Sequence, residues 1–303
     1  MTLVLVIGGC HFIGYDTALN LADEGYQVWI LDDMNCPGPT GGAERKPGSP
    51  RDKDTLTRLV KEADIVYNFY EYDGVNEARL NPREAYVENI DVTYNILEAF
   101  TRSHAFRLIH ASTAAVYGEQ ELLPILEDAV KRPKSWYGAS KSAGEEAVAG
   151  FARERGLEAV ILRYFNVYGP GEWNRGNPGV VNAFITAALT GGYIRLEGGG
   201  GQVRDFIHVA DAVRASLAAL NAPPGVYNVG TGRGIAIAEL ADLIIRIHGE
   251  PVEVVIAERR PGDITASIAS TAKLSKATGW KPLIPLQYGL KKLYEYYREK
   301  LQS

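Results

Sequence analysis

The sequence predicts an α/β chain: a doubly wound parallel sheet with a smaller mixed α/β lobe towards the C-terminus. Three observations carry this. Short apolar runs alternate with stretches of helical spacing as far as residue 166. The first two runs flank a glycine turn, and the second ends in an acid. Beyond residue 166 the alternation breaks into glycine- and proline-rich segments. Residues 1–166 therefore read as one domain, with core elements returning within about 204–232. Residues 167–303 read as a mainly separate, discontinuous lobe, and 303 residues suffice for two cores.

The first element is Leu3-Val4-Leu5-Val6-Ile7, a core strand rather than a leader. It meets Gly8-Gly9-Cys10-His11-Phe12-Ile13-Gly14 and a helix through Ala18, Leu19, Leu21 and Ala22. Val28-Trp29-Ile30-Leu31 follows and ends in Asp32-Asp33. Strand, glycine turn, helix, strand and acid form a Rossmann-like dinucleotide arrangement. The turn seats a pyrophosphate at a helix N-terminus, and the acid accepts from a ribose diol and repels a 2′-phosphate. That favours NAD over NADP.

Residues 35–54 read as a long loop, and Thr55–Lys61 as helical. Ile65–Phe69 is a third strand, followed by a polar loop through Asp73-Gly74 and Asn81-Pro82. Residues 84–101 carry an apolar helical stripe. Arg107–Ala111 is a fourth strand, closed by Ser112 to Gly118, either a ligand-side loop or a simple strand end. A helix is predicted from about Trp136 to Arg155, with Tyr137 and Lys141 one turn apart on one face. An ammonium beside a phenol favours the phenolate, although such spacing also arises by chance on solvated helices.

Ala159–Arg163 is a fifth strand, ending in Tyr164-Phe165-Asn166. The second lobe begins with a loop over 171–179, a helix over 180–189 and a short strand over 193–196. Gly198–Gly201 then form a loop with backbone close to something. Further helices are predicted over 210–220, 237–247 and 286–300, and strands over 226–229 and 252–256. Leu290, Leu293, Tyr294 and Tyr297 give the last helix a stripe that reads as core. Arg259-Arg260-Pro261-Gly262-Asp263 is a charged turn, either a diphosphate grip or a solvated loop.

Composition narrows the function. An apolar content of 46% and a charged content of 23% suit a soluble globular enzyme. A net charge of −5 with no long basic tract excludes nucleic acid as the expected partner. No apolar stretch is long enough for a membrane span, and the expected location is cytoplasmic. Cys10 and Cys36 imply neither a metal site nor a disulfide framework.

The ordered set of motifs resembles the extended short-chain dehydrogenase/reductase family, in its NAD-dependent nucleotide-sugar epimerase and dehydratase branch. The resemblance spans the chain: Gly8–Gly14, Asp32, Asn89, Ser112–Gly118, Tyr137-Gly138-Ala139-Ser140-Lys141 and Arg163–Asn166. It continues through Arg204–Asp211, Tyr227–Gly230, Arg260–Asp263 and Leu274–Pro282.

The resemblance implies NAD as cofactor. Its expected contacts are Gly8, His11, Phe12, Ile13, Gly14, Asp32, Asp33, Phe69, Tyr70, Asn89, Ser112, Tyr137, Lys141 and Tyr164. Thr113, Tyr137 and Lys141 would be catalytic, and Thr113, Asn166, Arg204, Arg260 and Asp263 would hold a nucleotide-diphosphate sugar. A homodimer is implied through helices around 89–101 and 137–153. The implied reaction takes a proton to Tyr137 and a hydride to NAD, turns the keto-sugar, and returns hydride to its other face. Related dehydratases carry an Asp-Glu pair where this chain has Ala114 and Ala115, and decarboxylases carry a glutamate at the second position. Two methyl groups favour epimerisation, most simply at C4 of a UDP-hexose such as UDP-glucose or UDP-galactose. The alternatives are a nucleotide-keto-sugar reductase and a non-catalytic sensing or partner-binding protein on the same fold.

Three positions depart from the family pattern. His11 stands where a glycine is usual, so the turn is rearranged, contacts phosphate through the ring, or no longer binds. Asn68-Phe69-Tyr70-Glu71 replaces small residues with large ones and one acid, and Ser49 stands near an expected aspartate.

Overall fold

The computed structural model describes residues 1–72, 74–172, 179–260 and 262–302. Asp73, Pro261 and most of the loop expected over 171–179 lie outside the described residues.

The strands are β1 (Leu3–Ile7), β2 (Gln27–Leu31), β3 (Glu44–Arg45), β4 (Ile65–Asn68), β5 (Arg107–Thr113), β6 (Glu158–Tyr164), β7 (Asn166–Tyr168), β8 (Tyr193–Glu197), β9 (Val203–His208), β10 (Gly225–Val229), β11 (Gly234–Ala236), β12 (Glu253–Ala257) and β13 (Ala266–Ser267). The helices are α1 (Phe12–Asp23), α2 (Lys53–Glu62), α3 (Val75–Leu80), α4 (Pro82–Tyr86), α5 (Val92–Phe100), α6 (Trp136–Arg155), α7 (Val180–Thr190), α8 (Val209–Ala218), α9 (Ile237–His248), α10 (Ala272–Thr278) and α11 (Leu286–Gln302).

Seven parallel strands form the main sheet in the order β10-β6-β5-β4-β1-β2-β3. The doubly wound class expected from the sequence is present. Its two faces follow from strand alternation. Val4 and Val6 point to the side holding α1 and α8, where Ala18, Leu21, Ala212 and Ala215 cover them. Leu3, Leu5 and Ile7 point to the other side, against Leu56 and Leu59 of α2, Ile96 and Leu97 of α5 and Val148 of α6. Each large side chain so buried contributes about 1.5–3 kcal/mol.

A separate core holds the later elements together. Phe184 and Ile185 of α7, Leu240 and Ile244 of α9, and Leu290, Leu293, Tyr294 and Tyr297 of α11 are all buried in it. The stripe on α11 is core, as its spacing implied. Strands β7, β9, β11 and β13 form a small sheet, and β8 pairs with β12.

Three local expectations are corrected. The loop over 35–54 contains edge strand β3, which pairs with β2 through Trp29 and Ile30. The polar loop before Pro82 contains α3, which starts after Gly74 at φ +104° and buries only Ala78, too little apolar surface to show as a periodic stripe. The helix expected over 84–101 begins at Pro82, where proline's missing N–H costs nothing, and passes through a π-helical turn over Val87–Asp91. The wider turn shifts the facing by one residue and carries Asn89 into the interior at 2% exposure.

Candidate active site

The glycine turn joins β1 to α1. A Cβ on Gly14 would lie 2.3 Å from the Gly8 carbonyl oxygen, and one on Gly8, at φ +77°, would lie 2.5 Å from the Tyr70 nitrogen. Backbone packing thus dictates both glycines. His11 is a different case. It caps α1 in extended conformation (φ −89°, ψ 158°), so a side chain there is unstrained. Its ring lies 3.5 Å from Asp32 and edge-on to Tyr70. The His11 side chain therefore places no strain on the backbone of the turn.

Asp32 is buried at the tip of β2, and both oxygens accept backbone hydrogen bonds, from Cys10 N–H at 2.8 Å and Met34 N–H at 2.9 Å. These bonds draw the turn against the segment after β2. Cys10 and Cys36 meet there in a disulfide, with Cα atoms 4.2 Å apart. That corrects the expectation of no disulfide framework, which rested on there being only two cysteines in no motif; the fold brings the two together across 26 residues of sequence. Asp33 accepts from the Tyr70 hydroxyl at 2.6 Å, and Tyr70 accepts in turn from Arg51. Phe69 is buried and stacks on Tyr67.

The second cluster lies at the ends of β4 and β5 and the start of α6. Ser135 caps α6, accepting from Gly138 N–H at 3.1 Å. A Cβ on Gly138 would sit 2.5 Å from the Ala115 carbonyl oxygen, so this glycine lets the helix close on the turn after Thr113. Tyr137 is thereby buried against Ala115, within the same cluster as Ala78 and Ala85. Thr113 ends β5, and its hydroxyl accepts from Ala115 N–H at 3.2 Å. Lys141 is 2% exposed and donates to the Ala111 carbonyl at 2.6 Å.

Glu71 meets both α6 residues. Its Oε2 is 2.8 Å from Lys141 Nζ and accepts from the Tyr137 hydroxyl at 3.2 Å. The sequence marked Glu71 only as a departure and assigned it no place in the site. Its signal was an acid three residues beyond a strand end.

Beneath this cluster lies a buried ionic network. Glu145 takes Arg163 at 2.7 and 2.9 Å, Lys131 at 3.1 Å and the Ser112 hydroxyl. Burial opposes its charge, but Arg163, Ser112 and Lys131 outweigh that and hold its carboxyl below the usual range. Ser112, expected at the cofactor, is committed to this network. Burial, followed by the Lys141 charge, pushes His110 down to about 3. Tyr164, also expected at the cofactor, shares its hydroxyl hydrogen bond with Ser216 of α8. Burial pushes its phenol up, and the Glu71 charge adds to that. Asn89 holds Tyr72 through both its N–H and its carbonyl, and donates to Ser140.

In the second lobe Arg204 pairs with Asp263 at 2.5 Å, and Arg260 with Glu197 at 3.2 Å. Gln202 donates to Asp263 at 2.6 Å. Asn166 donates to the Asp205 carbonyl at 3.1 Å. Gln202 also donates to the Glu197 carbonyl at 2.8 Å, so Arg204, Arg260 and Asp263 share one polar cluster.

A dinucleotide fits the first cluster on structural grounds. The glycines leave no Cβ between the turn and Tyr70, and α1 begins without a side-chain cap. A cavity of about 300 Å³ opens there, lined among others by Cys10, His11, Phe12 and Tyr15.

Comparison with known proteins agrees. The model of the NAD-dependent epimerase/dehydratase family matches residues 4–230. A putative UDP-glucose 4-epimerase of Methanocaldococcus jannaschii is 34% identical, over 97% of this chain and 98% of its own. The UDP-glucose 4-epimerase of Thermotoga maritima, solved with UDP-glucose, superposes with a TM-score of 0.94 at 33% identity, covering 99% of this chain and 100% of its own. That of Thermus thermophilus, solved with NAD, gives 0.90 at 34% identity, covering 98% and 99%. The chain belongs to the NAD-dependent epimerase/dehydratase family.

Proposed function

We propose that the protein is an NAD-dependent nucleotide-sugar 4-epimerase that interconverts UDP-glucose and UDP-galactose. The observation that carries this is the convergence of Thr113, Tyr137 and Lys141 around a turn whose next two residues are Ala114 and Ala115. Neither Ala114 nor Ala115 can protonate a leaving hydroxyl, which favours proton exchange at an alcohol over elimination. The similarity to proteins named UDP-glucose 4-epimerase over almost the whole chain supports the same reading.

Tyr137 exchanges the proton of the sugar's C4 hydroxyl, which Thr113 orients through its own hydroxyl. The Lys141 ammonium, fixed by the Ala111 carbonyl, steadies the phenolate. When bound, NAD supplies hydride acceptance and return at C4, and Gly8, Gly14 and the start of α1 would hold it. Arg204 and Arg260 grip the diphosphate, with Asn166 and Asp263 beside them.

Self-association through the outer faces of α5 and α6 is part of this reading, supported by exposed Tyr94 on α5 and Trp136 at the start of α6. Among the described residues no helix is long and apolar enough to cross a membrane. We infer a cytoplasmic location from the family's nucleotide-sugar chemistry.

The test is made on protein purified without added cofactor. Denaturing it and quantifying released dinucleotide by mass spectrometry should give near one NAD per chain, because an enzyme with no net redox change retains its cofactor. Empty protein that binds neither NAD nor NADP would refute the assignment.

A further inference from the structure

Tyr137 and Lys141 share an acceptor. The Glu71 carboxylate takes the phenol's hydrogen at 3.2 Å and the ammonium at 2.8 Å, both on Oε2. The placement is built in. Tyr70, on one side, donates its N–H to Asn68 and its hydroxyl to Asp33. Tyr72, on the other, is held through its N–H and carbonyl by Asn89, which also reaches Ser140 on α6. Glu71 thus projects from a backbone fixed at both neighbours, with its side chain 14% exposed.

We propose that Glu71 is a positioning residue of the proton-transfer pair: its carboxylate seats the Lys141 ammonium and accepts the phenolic hydrogen, so that Tyr137 rests as the neutral phenol and becomes the phenolate when that hydrogen passes to the carboxylate. This rests on the reading of Tyr137 as the group that exchanges the substrate proton. The physics is one of opposed charges. A lysine alone beside a phenol stabilises the phenolate, whereas a carboxylate on the same hydroxyl stabilises the phenol.

The other titratable groups described around the pair are neutral or matched. From β5, His110 is buried and held neutral, pushed down to about 3 first by burial and then by the Lys141 charge. From α6, Glu145 is matched by Arg163 of β6 and by Lys131. From β6, Tyr164 is held as a phenol by its burial. Among the described residues, Glu71 is the anion that touches both members.

The test is a spectrophotometric pH titration of tyrosinate on the intact protein, with the Tyr137→Phe spectrum subtracted to isolate this one phenol. The same subtraction is made in a Glu71→Gln background, which keeps the shape and removes the charge. The Tyr137 midpoint should fall by about one to two pH units on removing the carboxylate. Glu71→Ala should move it the same way, and Glu71→Asp should stay nearer the wild type. A wild-type phenol that resists titration until the protein unfolds in alkali, while the Gln variant titrates earlier, is the same result. An unmoved or raised midpoint in both Gln and Ala variants overturns the proposal, as does a phenol that stays protonated to unfolding in all of them. The titration needs no turnover. Protein inert towards UDP-glucose whose Tyr137 shifts as expected would sink the functional reading and leave this one standing.

Discussion

The two ends of the site are built by different means. At the glycine turn, shape comes from the backbone: Gly8 and Gly14 leave no room for a Cβ, and Asp32 spends both oxygens on main-chain N–H groups. At the proton-transfer end, shape comes from helix α6 closing on the Thr113 turn, but the chemistry hangs on side chains that meet at one carboxylate oxygen. The turn therefore tolerates a new side chain wherever the backbone is unstrained, as at His11. The other end should respond to single charges.

Substitutions separate the two. Tyr137→Phe, which removes only the hydroxyl, should cut UDP-glucose conversion by about 10²–10⁴-fold while the thermal unfolding midpoint stays put. Glu145→Ala would strand Arg163 in the interior and should cost about 3–5 kcal/mol in a urea titration. Gly14→Ala should cost about 1–3 kcal/mol by overpacking the turn, and should lower the dinucleotide content of the purified protein. His11→Gly should change stability by under about 1 kcal/mol and leave dinucleotide content unchanged, since no positive φ is relieved there. A large gain of cofactor in that variant would show that the ring obstructs the turn.

Acid should act on the buried network in two windows. His110 is held at about 3 in the fold against about 6.5 in an unfolded chain. The unfolded state thus binds the extra proton between those values, and stability falls as pH drops through them. Glu145 is lowered in the fold, so its contribution is present above about pH 4.3 and is lost as pH falls further. Urea midpoints measured from pH 7 to 3 should show both, and His110→Asn should flatten the first window.

Much of this was legible in the sequence, for reasons that differ by element. Alternating strands and the turn from one helix to the next are local patterns, so the doubly wound sheet, the stripe on α11 and the Tyr137–Lys141 facing all follow from spacing. Asp32 was legible as an acid at a strand tip, but its two backbone bonds depend on where the turn folds back. The Cys10–Cys36 bridge and the Arg204–Asp263 pair are long-range, fixed by which segments the sheets bring together. Glu71 shows the limit most sharply. The acid was visible, but its aim depends on β4 lying beside β5 and on Asn89 entering through a π-helical turn.

The central claim is tested most directly by incubating UDP-glucose with the purified protein and following C4 inversion and nicotinamide absorbance together. The account predicts UDP-galactose with no net gain or loss of NADH, and none from the Tyr137→Phe variant. Inversion that persists in that variant, or turnover that consumes NADH stoichiometrically, would contradict it.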